Sequence, residues 1–149
     1  MTIRNFKPAD REAVLAMVYT FYASPGVLHP IPTAHFADAY DELCGGGSQL
    51  MRGLAIEVDS ELAGYSVLSF TYSLEAGGLV VLLEEGFVKP EYRSHGLGTK
   101  LLEFLKAEYH GKAARLRLEV APGNTRAIAL YERLGFEELP YVQMILEDF

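Results

Sequence analysis

The sequence predicts a single α/β domain, a mixed sheet with helices on both of its faces. Three observations carry that expectation. The chain has 149 residues, of which 50% are hydrophobic and 22% charged, the size and balance of one globular domain. Apolar runs of strand length lie back to back through the middle of the chain. From about position 97 the pattern becomes helix, strand, helix, strand, and that mixture points to a mixed sheet with helices packed on it. No internal repeat and no linker-like stretch divides the chain, so residues 1–149 read as one domain.

Thr2 to Phe6 alternates apolar and polar residues, a short strand. Pro8 suits the first turn of a helix, and Asp10 and Glu12 suit the positive end of its dipole. Val14, Leu15, Val18, Phe21 and Tyr22 recur at helical spacing until Pro25-Gly26 stops them. After a loop with two prolines, Thr33 is placed to cap a second helix with an apolar stripe of Phe36, Tyr40 and Leu43, ended by Gly45-Gly46-Gly47. A hairpin follows: Gly53 to Val58, a turn at Asp59-Ser60-Glu61, then Leu62 to Tyr72. Gly77-Gly78 separates it from Leu79 to Val88, apolar apart from Glu84, Glu85 and Gly86. Leu97 to His110 is a helix, Leu116 to Val120 a strand, and Asn124 caps a last helix that Gly135 breaks. Tyr141 to Leu146 reads as a closing strand.

Composition excludes several function classes. Thirteen Lys and Arg against 20 Asp and Glu give a formal charge of −7, which repels a phosphate backbone and argues against nucleic-acid binding. Such a surface suits cationic small molecules or peptides. The single cysteine, Cys44, makes no intrachain disulfide and no cysteine-based zinc site. The four histidines lack ligand spacing, so no metal is expected. No apolar run approaches the roughly 20 residues of a membrane span, and the first residues lack a signal-peptide core. A soluble cytoplasmic protein in a reducing compartment is expected, with a homodimer left open.

The most informative stretch runs from Val88 to Lys100: a strand end, a short loop, and a helix beginning at about Gly96. Glycines at 96 and 98 allow close backbone approach. The first N–H groups of such a helix lack intrahelical partners and point outward at the positive dipole end, which suits a pyrophosphate. Arg93 and Lys100 can add charge. An ordinary strand-to-helix turn competes with this reading on spacing alone. The pattern is neither an ATPase P-loop nor a dinucleotide-binding fingerprint.

Arg93-Ser94-His95-Gly96-Leu97-Gly98 resembles the R/Q-x-x-G-x-G/A signature of the GNAT superfamily of acetyl-CoA-dependent N-acetyltransferases. Glu84 to Tyr92 is similar to the strand that leads into it. Asn124 to Phe136 is similar to the family's N-x-x-A-x-x-L-Y-x-x-x-G-F segment. Ser94 departs from the pattern, since many members carry glycine there. The resemblance implies a largely antiparallel sheet whose strand from Leu79 to Val88 splays away from Leu116 to Val120, with acetyl-CoA in the gap. It also implies that backbone groups from Ser94 through His95, Gly96, Leu97 and Gly98 to Thr99 hold the pyrophosphate. Phe87 and Val88 would pair with the pantetheine arm, with Arg93 and Asn124 close by.

Acetyl transfer to an amine needs a proton acceptor, a donor to the oxyanion and a donor to the leaving thiolate. The Val88 N–H suits the oxyanion. Tyr131 matches the family tyrosine that faces the cofactor sulfur, although it also lies on the apolar stripe of its helix. Glu84 and Glu85 interrupt an apolar strand, where desolvation raises a carboxyl pKa. Strand alternation allows only one of them to face the cleft. Glu84 shares parity with Val88 and is chosen as base, with Glu85 as alternate; simple pairing with a nearby Arg or Lys competes for both. The acceptor would be an amine gripped by the first two helices, the Pro25 to Thr33 loop and the Ser69 to Gly78 segment. Tyr19, Tyr22, His29, His35, Tyr40, Tyr72 and the carboxylates Asp38, Asp41, Glu42 and Glu75 are available there. Similarity of Leu83 to Arg93 to polyamine and diamine acetyltransferases leans towards a small cationic amine. A protein or peptide N-acetyltransferase and a non-catalytic acyl-CoA-binding module are the alternatives.

Overall fold

A computed structural model describes residues 1–24, 27, 31–44 and 48–147. Five strands form one sheet in sequence order: β1 (Thr2–Asn5), β2 (Met51–Val58), β3 (Glu61–Ser73), β4 (Gly78–Val88) and β5 (Arg115–Leu118). Neighbours run antiparallel except β4 and β5, which are parallel. The β2–β3 hairpin closes on Asp59 and Ser60, both with positive φ (51° and 67°). A turn of that kind matches the twist of the strands it joins. The sheet therefore is mixed and largely antiparallel, as the sequence predicts.

Helices cover both faces. A 3-10 turn at Pro8–Asp10 leads into α1 (Arg11–Tyr22), and α2 (Thr33–Leu43) follows. Pro32, not Thr33, occupies the cap position of α2. On this face Val14, Met17, Val18, Phe36, Tyr40 and Leu43 pack against Ala55, Tyr65, Val67 and Phe87. On the other face α3 (Leu97–Glu108) lays Leu97, Leu101 and Leu105 against Leu54, Ile56, Leu68 and Val81. The helical spacing of each stripe is what the sequence shows. The fourth helix, α4 (Thr125–Arg133), buries no side chain completely.

The end of the chain differs from the sequence reading, whereas the parting of β4 from β5 is what the family resemblance implies. Tyr141 to Leu146 forms no strand, and Val142, Met144, Ile145 and Leu146 are exposed. Its alternation is a strand signal only if a sheet edge accepts it, and β5, the edge strand, is only four residues long. The β4–β5 ladder is also short. It runs from Val80–Arg115 to Leu83–Leu118 and then stops, although β4 continues to Val88. Val120 accordingly lies outside β5. The two strands part there.

Beneath β1 sits a charged knot. Arg4 donates to both oxygens of Asp10, at 2.6 and 3.0 Å, and to Glu57. Asp10 also accepts the Lys7 N–H at 2.8 Å. The Arg4 hydrogen bonds hold the buried Asp10 carboxyl below its ordinary range, against the opposing effect of burial. A depressed carboxyl pKa stabilises the fold above the unfolded value, about 4, and that stabilisation is lost as pH falls through the folded value. Asp10→Asn should cost about 2 kcal/mol at neutral pH, the scale of hydrogen bonds to a charged group. Urea melts at pH 7 and pH 3 should show a smaller acid-induced loss in the variant than in the parent chain.

Candidate active site

β4 delivers the chain into a turn built from local constraints. Pro90–Tyr92 forms a short 3-10 turn. Arg93 folds back, its Nε donating to the Val88 carbonyl at 2.8 Å and its guanidinium lying 5.5 Å over the Phe87 ring. Ser94 (φ 67°) and Gly96 (φ 75°) are left-handed. That conformation costs a residue with a Cβ about 1–2 kcal/mol, so Ser94 is the strained member of the pair. Arg126 of α4 donates to the Ser94 hydroxyl at 3.0 Å. α3 begins at Leu97, so the N–H groups of Leu97, Gly98 and Thr99 lack intrahelical partners. The Leu97 side chain is buried in the core, which leaves only its backbone for a ligand. His95 is exposed, and with Tyr92 and Lys100 it lines a cavity of about 380 Å³ beside the turn.

Just upstream, β4 has an open edge. The Phe87 carbonyl points at Gly64, where a Cβ would come within 2.3 Å of it. The Lys89 N–H bonds to the Ala63 carbonyl at 2.9 Å. Backbone groups of alternate residues point to opposite edges of a strand, so those of Gly86 and Val88 face away from β3. They face the space that β5 vacates. This corrects the expectation for Phe87: its backbone is committed to β3 and its ring is buried against Phe21 and Tyr65. The strand edge on offer belongs to Gly86 and Val88.

On the α1–α2 face the same strand carries two carboxylates. Val67 pairs with Glu85 and Leu68 with Leu83, so Glu84 is the extra residue of a β-bulge. A bulge breaks the alternation of side chains. Both Glu84 and Glu85 therefore line one cavity of about 210 Å³, together with Tyr22, His35 and Phe36. The expectation that only one of them faces the cleft is overturned, and so is the parity count from Val88. Glu84 is exposed and accepts the Ser69 hydroxyl at 2.6 Å. Glu85 is only 9% exposed. Tyr65 donates to its Oε1 at 2.7 Å, and Tyr22 donates to its Oε2. Burial pushes the Glu85 carboxyl above its ordinary pKa, more than the two hydroxyls pull it down. Burial and the adjoining carboxylate raise both phenols as well, burial being the larger cause.

The other aromatic candidates scatter. Tyr40 is core, stacked on Phe6 and donating to the Lys7 carbonyl at 3.0 Å. Tyr19 and Tyr72 are exposed, and Glu75 pairs with Arg115 at 2.9 Å. His29 lies outside the described residues. Sequence reasoning missed Tyr65 and Arg126, and placed Ser69 only as the first residue of a segment facing the acceptor. The one available signal for the partners of Glu84 and Glu85 was the pair of adjacent glutamates itself.

Asn124 caps α4, its Oδ1 accepting the Ala127 N–H at 3.2 Å. Tyr131 is half-buried about two turns beyond the cap, tilted against Phe136 with ring centroids 6.0 Å apart. Burial raises its phenol pKa. Among the described residues no three His, Cys, Asp or Glu side chains gather as a metal site, and no helix is long and apolar enough to cross a membrane.

Residues 16–136 match the acetyltransferase (GNAT) family. The chain belongs to the GNAT family. Over 79 residues it is 38% identical to the thialysine N-epsilon-acetyltransferase of Bos taurus, a stretch covering 52% of this chain and 46% of that protein. Over 52 residues it is 52% identical to the ribosomal protein bS18-alanine N-acetyltransferase of Escherichia coli (strain K12), covering 34% of this chain and 35% of the other. The chain thus spans about half the length of the first relative and about a third of the second. A possible acetyltransferase from Clostridium difficile 630 shares the fold, with a TM-score of 0.82 at 18% identity over 99% of this chain and 97% of that one.

In this GNAT chain the turn can be tested as a pyrophosphate cradle. Valine at Gly96 would add a β-branched side chain at a left-handed position in open space. Gly96→Val should weaken acetyl-CoA binding by about tenfold or more in calorimetry, a loss of about 1.4 kcal/mol. A cooperative melt should persist. Unchanged affinity would remove the turn from the cofactor site.

Proposed function

We propose that this GNAT chain is an N-acetyltransferase that moves an acetyl group from acetyl-CoA to a small cationic primary amine, by direct attack in a ternary complex. The observation that carries it is the arrangement along β4. One strand bears a carboxylate-lined cavity at Glu84 and Glu85, an open backbone edge at Gly86 and Val88, and then a turn of unpartnered N–H groups.

The residues present fit the coenzyme. The N–H groups of Leu97, Gly98 and Thr99, with the left-handed Ser94 and Gly96 beside them, suit its pyrophosphate. The open edge of β4 suits amide groups of its arm. Acetyl-CoA supplies an activated acyl thioester when bound. The Val88 N–H is the donor for the negative oxygen that develops during attack. Glu85 is the base: it lines the cavity, and burial raises its proton affinity above that of an ordinary carboxyl. Glu84, at the open side of the same cavity, adds a negative charge that attracts a cation. Tyr131 offers its O–H to the departing sulfur, a role supported by a hydroxyl with no hydrogen-bond partner among the described residues. The single Cys44 suits a reducing, cytoplasmic setting.

The relatives' names cover thialysine and a ribosomal protein alanine, so the acceptor class rests on the cavity. Its size and paired carboxylates support a compact cation. A thiol-release screen against polyamines, amino acids, aminoglycosides and short peptides should show turnover with small amines. Turnover with peptides alone would move the assignment to protein acetylation. Acetyl-CoA binding without turnover would make the chain a binding module.

Tyr131→Phe keeps the ring and deletes the hydroxyl. Turnover should fall by about 10²–10⁴-fold, the range for general acid catalysis, while acetyl-CoA affinity and thermal stability stay close to those of the parent. Full turnover would return Tyr131 to a packing role.

A further inference from the structure

Glu85 is held in a way that a base on an ordinary strand is not. Each of its two oxygens accepts a tyrosyl hydroxyl, and the two tyrosines come from different elements, Tyr22 from the last position of α1 and Tyr65 from the middle of β3. Tyr65 is fully buried and takes part in the core with Phe36 and Phe87. Tyr22 lines the cavity and packs edge-on against Phe21. The carboxylate thus cannot change rotamer without breaking two hydrogen bonds, one of them from a core residue.

We infer that Tyr22 and Tyr65 are positioning residues for the reaction, holding the Glu85 carboxylate at the cavity wall and keeping it charged there. This rests on the reading of Glu85 as the base. Among the described residues lining the cavity there is no Lys or Arg to neutralise Glu85. The titratable groups that face the cavity are Tyr22 of α1, His35 of α2, and Glu84 beside Glu85 on β4; Tyr65 approaches from β3. Glu84 disfavours the charge on Glu85, and so does burial. Among the described residues the two hydroxyls are the only groups in direct contact that favour it. Each leaves the carboxylate oxygen it touches with a further lone pair, so proton uptake from an amine stays available.

The sign of the effect follows. Removing a donor to the charged form raises the proton affinity of the carboxylate. Because the base must be unprotonated to act, the acid limb of kcat/KM should move to higher pH in Tyr22→Phe. The move should be about 1–2 pH units, the equivalent of one hydrogen bond to a charged group. Tyr65→Phe should move it in the same direction. Carbon-13 NMR titration of the Glu85 carboxyl in the protein without substrates should report the same displacement, independently of turnover. A merely structural role would lower the melting temperature and leave both the limb and the NMR midpoint in place, and that outcome overturns the inference. Should Tyr65→Phe fail to fold, Tyr22→Phe decides the matter, since Tyr22 lies at the cavity rather than in the core. Glu85→Gln separates the two levels. A variant that keeps its rate and its acid limb refutes the base assignment itself. Loss of rate in Glu85→Gln with no displacement in Tyr22→Phe refutes only the positioning role.

Discussion

Everything at the site depends on β4 losing one neighbour and keeping the other. Its ladder to β3 extends through Gly64–Val88, whereas its ladder to β5 ends at Leu83–Leu118. The bulged residue is Glu84, the first one beyond that ending. A bulge bends its strand and increases local twist, so the point where β4 turns is the point where β5 no longer follows. The N–H groups of Gly86 and Val88 and the Gly86 carbonyl are left facing an opening rather than a partner strand, while the Val88 carbonyl is taken by Arg93. A sheet normally hides such groups. Here their exposure is a consequence of one extra residue.

The same bulge arranges charge on the opposite side of the strand. It brings two carboxylates to one cavity, and the fold treats them differently. Glu84 sits towards solvent with a serine hydroxyl, while Glu85 is drawn into the core between two tyrosines. Burying an ionisable group without a cation is costly unless its oxygens are satisfied. Tyr22 and Tyr65 supply that satisfaction, and in doing so they tie α1 to the centre of the sheet. The site and the packing of the first helix are therefore one structure.

Stability is concentrated away from this region. The Arg4, Asp10 and Glu57 knot fastens β1 and the start of α1 to β2. Phe6 stacks on Tyr40, and its ring lies over Gly53, where a Cβ would come within 2.1 Å of it. That close approach explains a glycine inside a strand. By contrast α4 buries no side chain completely, and the exposed apolar residues of Tyr141 to Leu146 lie beyond it.

The sequence by itself determined what local rules govern. Helical stripes, the Asp59-Ser60 turn, the Asn124 cap and the glycine turn before α3 all follow from residues within a few positions of one another. The family motifs are legible for the same reason: a backbone cradle at a helix N-terminus is made by consecutive residues. Faces along β4 were not legible, because counting parity assumes an unbroken ladder, and a single unpaired residue reverses every side chain after it. Nor could the sequence bring Tyr22 and Tyr65 to Glu85, from positions 63 and 20 residues away. The closing strand failed for a related reason, since alternation in Tyr141 to Leu146 records a capacity to pair and says nothing of whether an edge is there to receive it. Tertiary structure decided those points, because strand pairing and burial are set by partners distant in the chain.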